Sequence, residues 1–180
     1  MPEAIAPRVL LLPGLGNSGP EHWQSHWERS EPDAFVRIMQ AEWDAPRRDE
    51  WVRTLDAAID RYGEDVVLVA HSTSCALVAF WAAEAGRTVR GALLVAPTDT
   101  EAPTYPHGPT GWTPMPLARL RFPSIVVASE NDVYVTLGRA REIAAAWGSR
   151  FVNAGRAGHL NSDSALSAWP EGRALLGTLL

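Results

Sequence analysis

Apolar residues in this chain fall in short unbroken blocks separated by longer segments of mixed polarity. The blocks are Arg8–Leu12, Phe35–Met39, Val66–Ala70, Gly91–Ala96, Ser124–Ser129 and Phe151–Asn153. They lack the strict apolar–polar alternation of a half-solvated strand and read as strands covered on both faces, as in a parallel sheet. Between them, apolar residues recur at helical spacing over about His22–Arg29, Arg48–Tyr62, Ser74–Ala85, Thr136–Trp147 and Glu171–Leu180. Strands alternating with helices predict an α/β domain, with a mostly parallel sheet of about six strands flanked by helices on both faces. The pattern leaves no room for a large cap domain. One domain over residues 1–180 is expected, with residues 1–7 as a flexible N-terminus. A single segment, Pro97–Pro123, has no period and is rich in proline. Its Tyr105, His107, Trp112 and Met115 could wall a pocket, or the segment could be a stiff cover on the sheet edge.

The chemistry gathers where strands end. Val66–Ala70 runs into His71-Ser72-Thr73-Ser74, and a small-residue helical run follows. A strand, a sharp turn carrying a serine and a helix together form a nucleophile elbow. The usual G-x-S-x-G reads here Ala70-His71-Ser72-Thr73-Ser74, with small residues at both glycine positions. A helix merely capped by Ser72 or Thr73 would give the same local sequence. The later strands separate the two readings. Ser124–Ser129 is followed by Glu130-Asn131-Asp132, and Phe151–Asn153 by Gly155-Arg156-Ala157-Gly158-His159. Serine, acid and histidine thus appear in the chain order of a strand-borne triad, each just past a strand. His159 would take the proton of Ser72 as it attacks a carbonyl, and Asp132 would orient the imidazole. Glu130 and Asp163 are the competing acids.

An oxyanion needs two N–H donors. Thr73 would supply one, and the loop Pro13-Gly14-Leu15-Gly16 after the first strand the other, from Leu15 or else Gly14. Gly14, Gly16 and Gly19 also fit G-x-G-x-x-G, but Pro20 sits where a dinucleotide-binding helix would have to start, and no acid closes a second strand.

Taken together, these segments resemble the retinoblastoma-binding protein 9-like (YdeN-type) serine hydrolases, a compact branch of the α/β-hydrolase fold. The resemblance rests on Pro13-Gly14, Gly16-Asn17-Ser18-Gly19-Pro20-Glu21-His22-Trp23, Ala70-His71-Ser72, Ser129-Glu130-Asn131-Asp132, Gly158-His159-Leu160-Asn161 and Trp169-Pro170-Glu171-Gly172. It spans nearly the whole chain and implies Ser72, Asp132 and His159 as the triad. Members commonly carry Leu at the Thr73 position and Gly at the Ser74 position. Ser74 is therefore expected to crowd the elbow slightly, and Thr73 to add a hydroxyl near the oxyanion.

Composition narrows the picture further. Apolar residues at 46% and charged residues at 21% are ordinary for a globular domain. A net charge of −5 with dispersed basic residues argues against nucleic acid or an anionic membrane as partner. No apolar run approaches the ~20 residues of a membrane span, no signal-peptide pattern opens the chain, and the single Cys75 can form no internal disulfide. A cytoplasmic location is expected. His22 and His26 lie at a spacing that two metal ligands could use, but no H-E-x-x-H glutamate or third ligand accompanies them, so no metal or other cofactor is expected. Of the eight tryptophans, most are expected in the core, while Trp23 and Trp112, with His71, are candidates to border the substrate. The expectation is a serine hydrolase cleaving small carboxylic esters, or thioesters or amides, through an acyl-enzyme. Its partner would be a small acyl substrate. The alternatives are an acyltransferase with the same triad, and a protein-binding member of the fold with little or no catalysis.

Overall fold

A computed structural model describes residues 7–180. The flexible N-terminus expected for residues 1–7 falls, apart from Pro7, outside the described residues. Six strands form one all-parallel sheet: β1 (Arg8–Leu12), β2 (Phe35–Arg37), β3 (Val66–His71), β4 (Gly91–Val95), β5 (Ser124–Ala128) and β6 (Arg150–Asn153), in spatial order β2-β1-β3-β4-β5-β6. Chain order reverses direction across the sheet at β1 and β3, and a crevice beside such a switch point is where open α/β sheets bind ligands. β3, β4 and β5 are buried throughout, as their uninterrupted apolar blocks require.

Helices cover both faces. α2 (Arg48–Tyr62), α3 (Thr73–Ala85) and α4 (Leu137–Trp147) pack on one side around Leu10, Leu68, Leu94 and Val126. α1 (Trp23–Ser30) and α5 (Pro170–Gly177) pack on the other around Val9, Val67, Leu93 and Ile125. α3 is apolar all round because it is covered by both the sheet and α2.

Most predicted elements form within a residue or two of expectation, and the departures have local causes. β2 ends at Arg37, although the Ile38 N–H still donates to the Leu11 carbonyl at 2.9 Å, and Met39 beyond it is 60% exposed. α5 begins at Pro170, where a missing N–H costs nothing, and gives way to Thr178 after Gly177 rather than running to Leu180. Under its first turn, Gly172 lies against the Trp169 ring; a Cβ there would sit 2.2 Å from Trp169 Cε3. Only glycine allows that contact, which explains the Trp169-Pro170-Glu171-Gly172 spacing. The Pro97–Pro123 segment divides its residues between two roles. Trp112, Met115, Leu120 and Phe122 are buried in the α2–α3 core, whereas Tyr105 and Pro106 reach the cavity described below.

Candidate active site

The turn from β3 into α3 holds Ser72 at φ 60°, ψ −127°, a conformation costing a non-glycine residue about 1–3 kcal/mol. Its N–H donates to the Val95 carbonyl at 3.0 Å, so β4 braces the turn. The β1 loop closes on it from the other side. A Cβ on Gly14 would lie 2.7 Å from Ser72 Cβ and 3.0 Å from the His71 carbonyl, so the approach depends on glycine. Ser74 does not crowd the elbow as expected. Its hydroxyl donates to the Pro13 carbonyl at 2.6 Å and ties the same loop down.

The structure brings Ser72, His159 and Asp132 into one hydrogen-bonded chain. Asp132 Oδ2 lies 2.8 Å from His159 Nδ1, and His159 Nε2 lies 2.8 Å from Ser72 Oγ. The Asp132 carboxylate is fully buried; it also accepts the Tyr134 N–H at 2.9 Å. A carboxylate on Nδ1 fixes the proton on that nitrogen and leaves Nε2 free to accept from the serine hydroxyl. Ser72 has one proton, directed at His159, so the Thr98 hydroxyl 2.8 Å away donates to Ser72 Oγ. Thr98 lies in the loop after β4, is buried, and carries no motif that sequence reasoning could have used.

The loops bearing the acid and the histidine are latched together by the Ser-Glu-Asn-Asp motif. Ser129 Oγ accepts the Ala157 N–H and donates to Asn131 Oδ1, which in turn accepts the Gly158 N–H at 2.9 Å. Glu130 instead faces outward and accepts from Asn153, and Asp163 is exposed, so neither competing acid reaches His159. Behind the histidine, the His71 ring N–H donates to the His159 carbonyl at 2.9 Å, and the Trp23 indole donates to the Leu160 carbonyl at 2.8 Å.

That last bond corrects one expectation. Trp23 does not border the cavity: it is fully buried in an aromatic cluster with Trp27 and Trp169, and supports the His159 loop from behind. Trp112 does not border it either. It packs edge-on against Trp51 and Phe80 and donates to the Pro46 carbonyl. Met115 is likewise core and His107 is exposed, so of that predicted wall only Tyr105 remains. His71 does line the cavity.

The cavity itself measures about 280 Å³, and Leu15, His22, Ser72, Thr73, Thr98 and Tyr105 are among its lining residues. Thr73 opens α3, so its N–H has no acceptor inside the helix and points from a positive helix end. Leu15 reaches the cavity wall, whereas Gly14 lies beneath Ser72 and accepts the Asn17 N–H. The β1 loop is shaped by two polar anchors absent from the sequence reading, one buried and one half-buried. Gln24 donates to the Leu12 and Val69 carbonyls, and Arg37 donates to Asn17 and to the Ser18 carbonyl.

Burial drives the His22 pKa down to about 3 and holds His71 well below its ordinary value; each is further disfavoured as a cation by neighbouring positive or histidine groups. Both stay neutral beside the site. Burial pushes the Cys75 thiol well up, with its sulfur against the Val95 carbonyl, so it offers no rival nucleophile. Among the described residues, no three His, Cys, Asp or Glu side chains gather as a metal site, and no helix is long and apolar enough to cross a membrane.

A family model described as serine hydrolase matches residues 9–178. A protein from Pectobacterium atrosepticum described as a YdeN-like hydrolase is 31% identical, with a TM-score of 0.85 over 96% of this chain and 89% of that one. The ydeN gene product of B. subtilis is 17% identical, with a TM-score of 0.73 over 96% of this chain and 98% of its own. A monoacylglycerol lipase from Paleococcus ferrophilus is 13% identical, with a TM-score of 0.70 over 95% of this chain and 93% of its own. At those identities the last two likenesses concern the fold alone. No curated protein matches the chain.

Proposed function

The chain belongs to the serine hydrolase family, in its YdeN-like branch, and on that premise we propose that it cleaves small carboxylic esters through an acyl-enzyme on Ser72. The observation that carries this reading is the unbroken Ser72–His159–Asp132 chain, with both contacts at 2.8 Å.

Attack begins with Ser72 Oγ on the ester carbonyl while its proton passes to His159 Nε2. Asp132, its carboxylate fully buried beside Nδ1, stabilises the imidazolium that results. The carbonyl oxygen takes up negative charge and is met by the Thr73 and Leu15 N–H groups, the first backed by the positive end of α3. Collapse expels the alcohol, which leaves with the proton from His159. Water then repeats the sequence: His159 takes its proton, the hydroxide adds to the acyl carbonyl, and Ser72 departs reprotonated. No step calls for a metal or organic cofactor. A cavity of about 280 Å³ sits at the small end of ligand sites, which run to ~300–1,000 Å³, and favours a short acyl group.

Mixing the protein with excess p-nitrophenyl acetate and following nitrophenolate tests this directly. A burst of about one equivalent or a steady turnover is expected from the wild type, falling on the order of a millionfold, to background, in Ser72→Ala. Equal rates for the two proteins would remove Ser72 from the mechanism.

A further inference from the structure

Polar side chains around the Ser72 cavity fall into two kinds. Thr73 Oγ1, Tyr105 Oη and His22 Nε2 have no partner but are enclosed by protein, so no ligand reaches them. Asn17 and Asn161 differ. Both are half-buried, both line the cavity, and neither side-chain nitrogen is among the enclosed atoms.

Each of these carboxamides is pinned by its oxygen. Asn17 Oδ1 accepts the Ser18 N–H at 2.7 Å and an Arg37 Nη1 proton at 2.9 Å, and Arg37 is itself held by Glu28 at 2.7 Å. The Asn17 backbone stands at φ 65°, a left-handed conformation that asparagine adopts more readily than most residues. Asn161 Oδ1 accepts the Asp163 N–H at 3.1 Å, capping the single turn Ser162–Ser164. A guanidinium and a backbone N–H can only donate, so in both residues the oxygen must face the anchor. That choice turns each N–H2 group to the opposite edge, where neither bonds to any described residue.

The two donors come from the two loops that carry the reaction. Asn17 lies two residues beyond Leu15, assigned to the oxyanion, and Asn161 two residues beyond His159. Among the described residues no Asp, Glu, Lys or Arg lines this cavity. A carboxylate held there would be desolvated without a countercharge, whereas a neutral ether or carbonyl oxygen needs only a donor.

Resting on the reading of Ser72 as nucleophile, we propose that Asn17 and Asn161 determine specificity. Their N–H2 groups donate to a neutral acceptor oxygen carried by the acyl group within the first few carbons of its carbonyl. A methylene in place of that oxygen displaces water from the donors and gives them no acceptor, the situation in which a site built for a polar group discriminates.

Matched esters test this. In methoxyacetate against butyrate, and in 3-methoxypropionate against pentanoate, an ether oxygen replaces a methylene of similar size. Each p-nitrophenyl ester is assayed for kcat/KM, and each value is divided by the rate of hydroxide hydrolysis of that ester. The wild type is expected to favour at least one methoxyacyl ester over its partner by about three- to tenfold. Asn17→Asp and Asn161→Asp keep the oxygen that the internal donors need and replace N–H2 by a second acceptor. The variant whose residue holds the ether oxygen is expected to bring the ratio to one or below, an effect that a purely structural role of the asparagine would not produce. A ratio taken on one protein cancels any general change in activity or in His159 basicity, and alanine takes the place of aspartate at a position where the aspartate variant fails to fold. Turnover of all four esters with no methoxy preference, or a preference unchanged in both variants, overturns the inference while leaving the Ser72 mechanism standing. No turnover of any ester, with no burst, overturns both.

Discussion

Two sets of polar groups share one cavity, and they are built differently. Around Ser72, His159 and Asp132, each polar atom has a partner: the carboxylate accepts twice, the imidazole bridges, and Thr98 meets the serine oxygen. The carbonyls of the His159 loop are held by His71 and Trp23. On the Thr73, Tyr105 and His22 side the polar atoms are left without partners. The paired side is complete before substrate arrives, so transition-state charge meets groups that need no reorganisation. The unpaired atoms on the other side are enclosed by protein and take no part in that chain. Damage to the first should therefore fall on turnover itself, and damage to the second on the stability of the fold.

The sharpest way to break that contrast is to disturb the acid. Asp132→Asn keeps the shape but presents an amide to Nδ1, favouring the wrong tautomer of His159. A loss of about ten-thousandfold in kcat with little change in KM is expected from steady-state assays on an ester substrate. If Asp132→Asn is nearly silent while Glu130→Gln is not, the acid has been misassigned.

Thr98 should respond more gently, because it acts through Ser72. Thr98→Val removes the hydroxyl at nearly constant volume and is expected to lower kcat about five- to tenfold with KM held, and Thr98→Ser should restore it. A change in KM alone would place Thr98 in substrate binding instead.

The smallest effect is one of pH on stability. His22 is neutral in the folded protein with a pKa near 3, against an ordinary value of 6.5. Below pH ~6.5 the unfolded chain takes up a proton that folded His22 refuses, so stability present above that pH is lost progressively as pH falls toward 3. His22→Asn keeps a cap acceptor for α1 and removes this linkage. Urea midpoints measured from pH 7 to 4.5 should fall less steeply in the variant. The slope will not vanish, because buried His71 titrates in the same sense. Parallel slopes would mean that His22 is charged, or solvated, in the fold.

Much of this was legible in the sequence, and the part that was not has a common character. The sheet, its helices, Ser72, Asp132 and His159 could be found because each candidate residue closes an apolar block, a signal local in the chain. Thr98, Gln24 and Ser129 could not, because their roles are set by partners far along the chain: Thr98 meets Ser72, Gln24 meets Val69, and Ser129 meets Ala157. Trp23 and Trp112 misled for a related reason. Their nearness to motifs in the sequence says nothing about which way an indole faces, and both turn inward to satisfy their N–H on a backbone carbonyl. Ser74 was misjudged in the other direction, since the hydroxyl expected to crowd the elbow is what bonds Pro13 to it.

The most direct test of the central claim, that Ser72 is an activated nucleophile, is intact-mass measurement after exposure to a fluorophosphonate, on wild type and Ser72→Ala. The account requires a single adduct on the wild type, located at Ser72 and lost in the variant. A folded wild-type protein that takes no adduct, or a variant that is labelled equally, would contradict it.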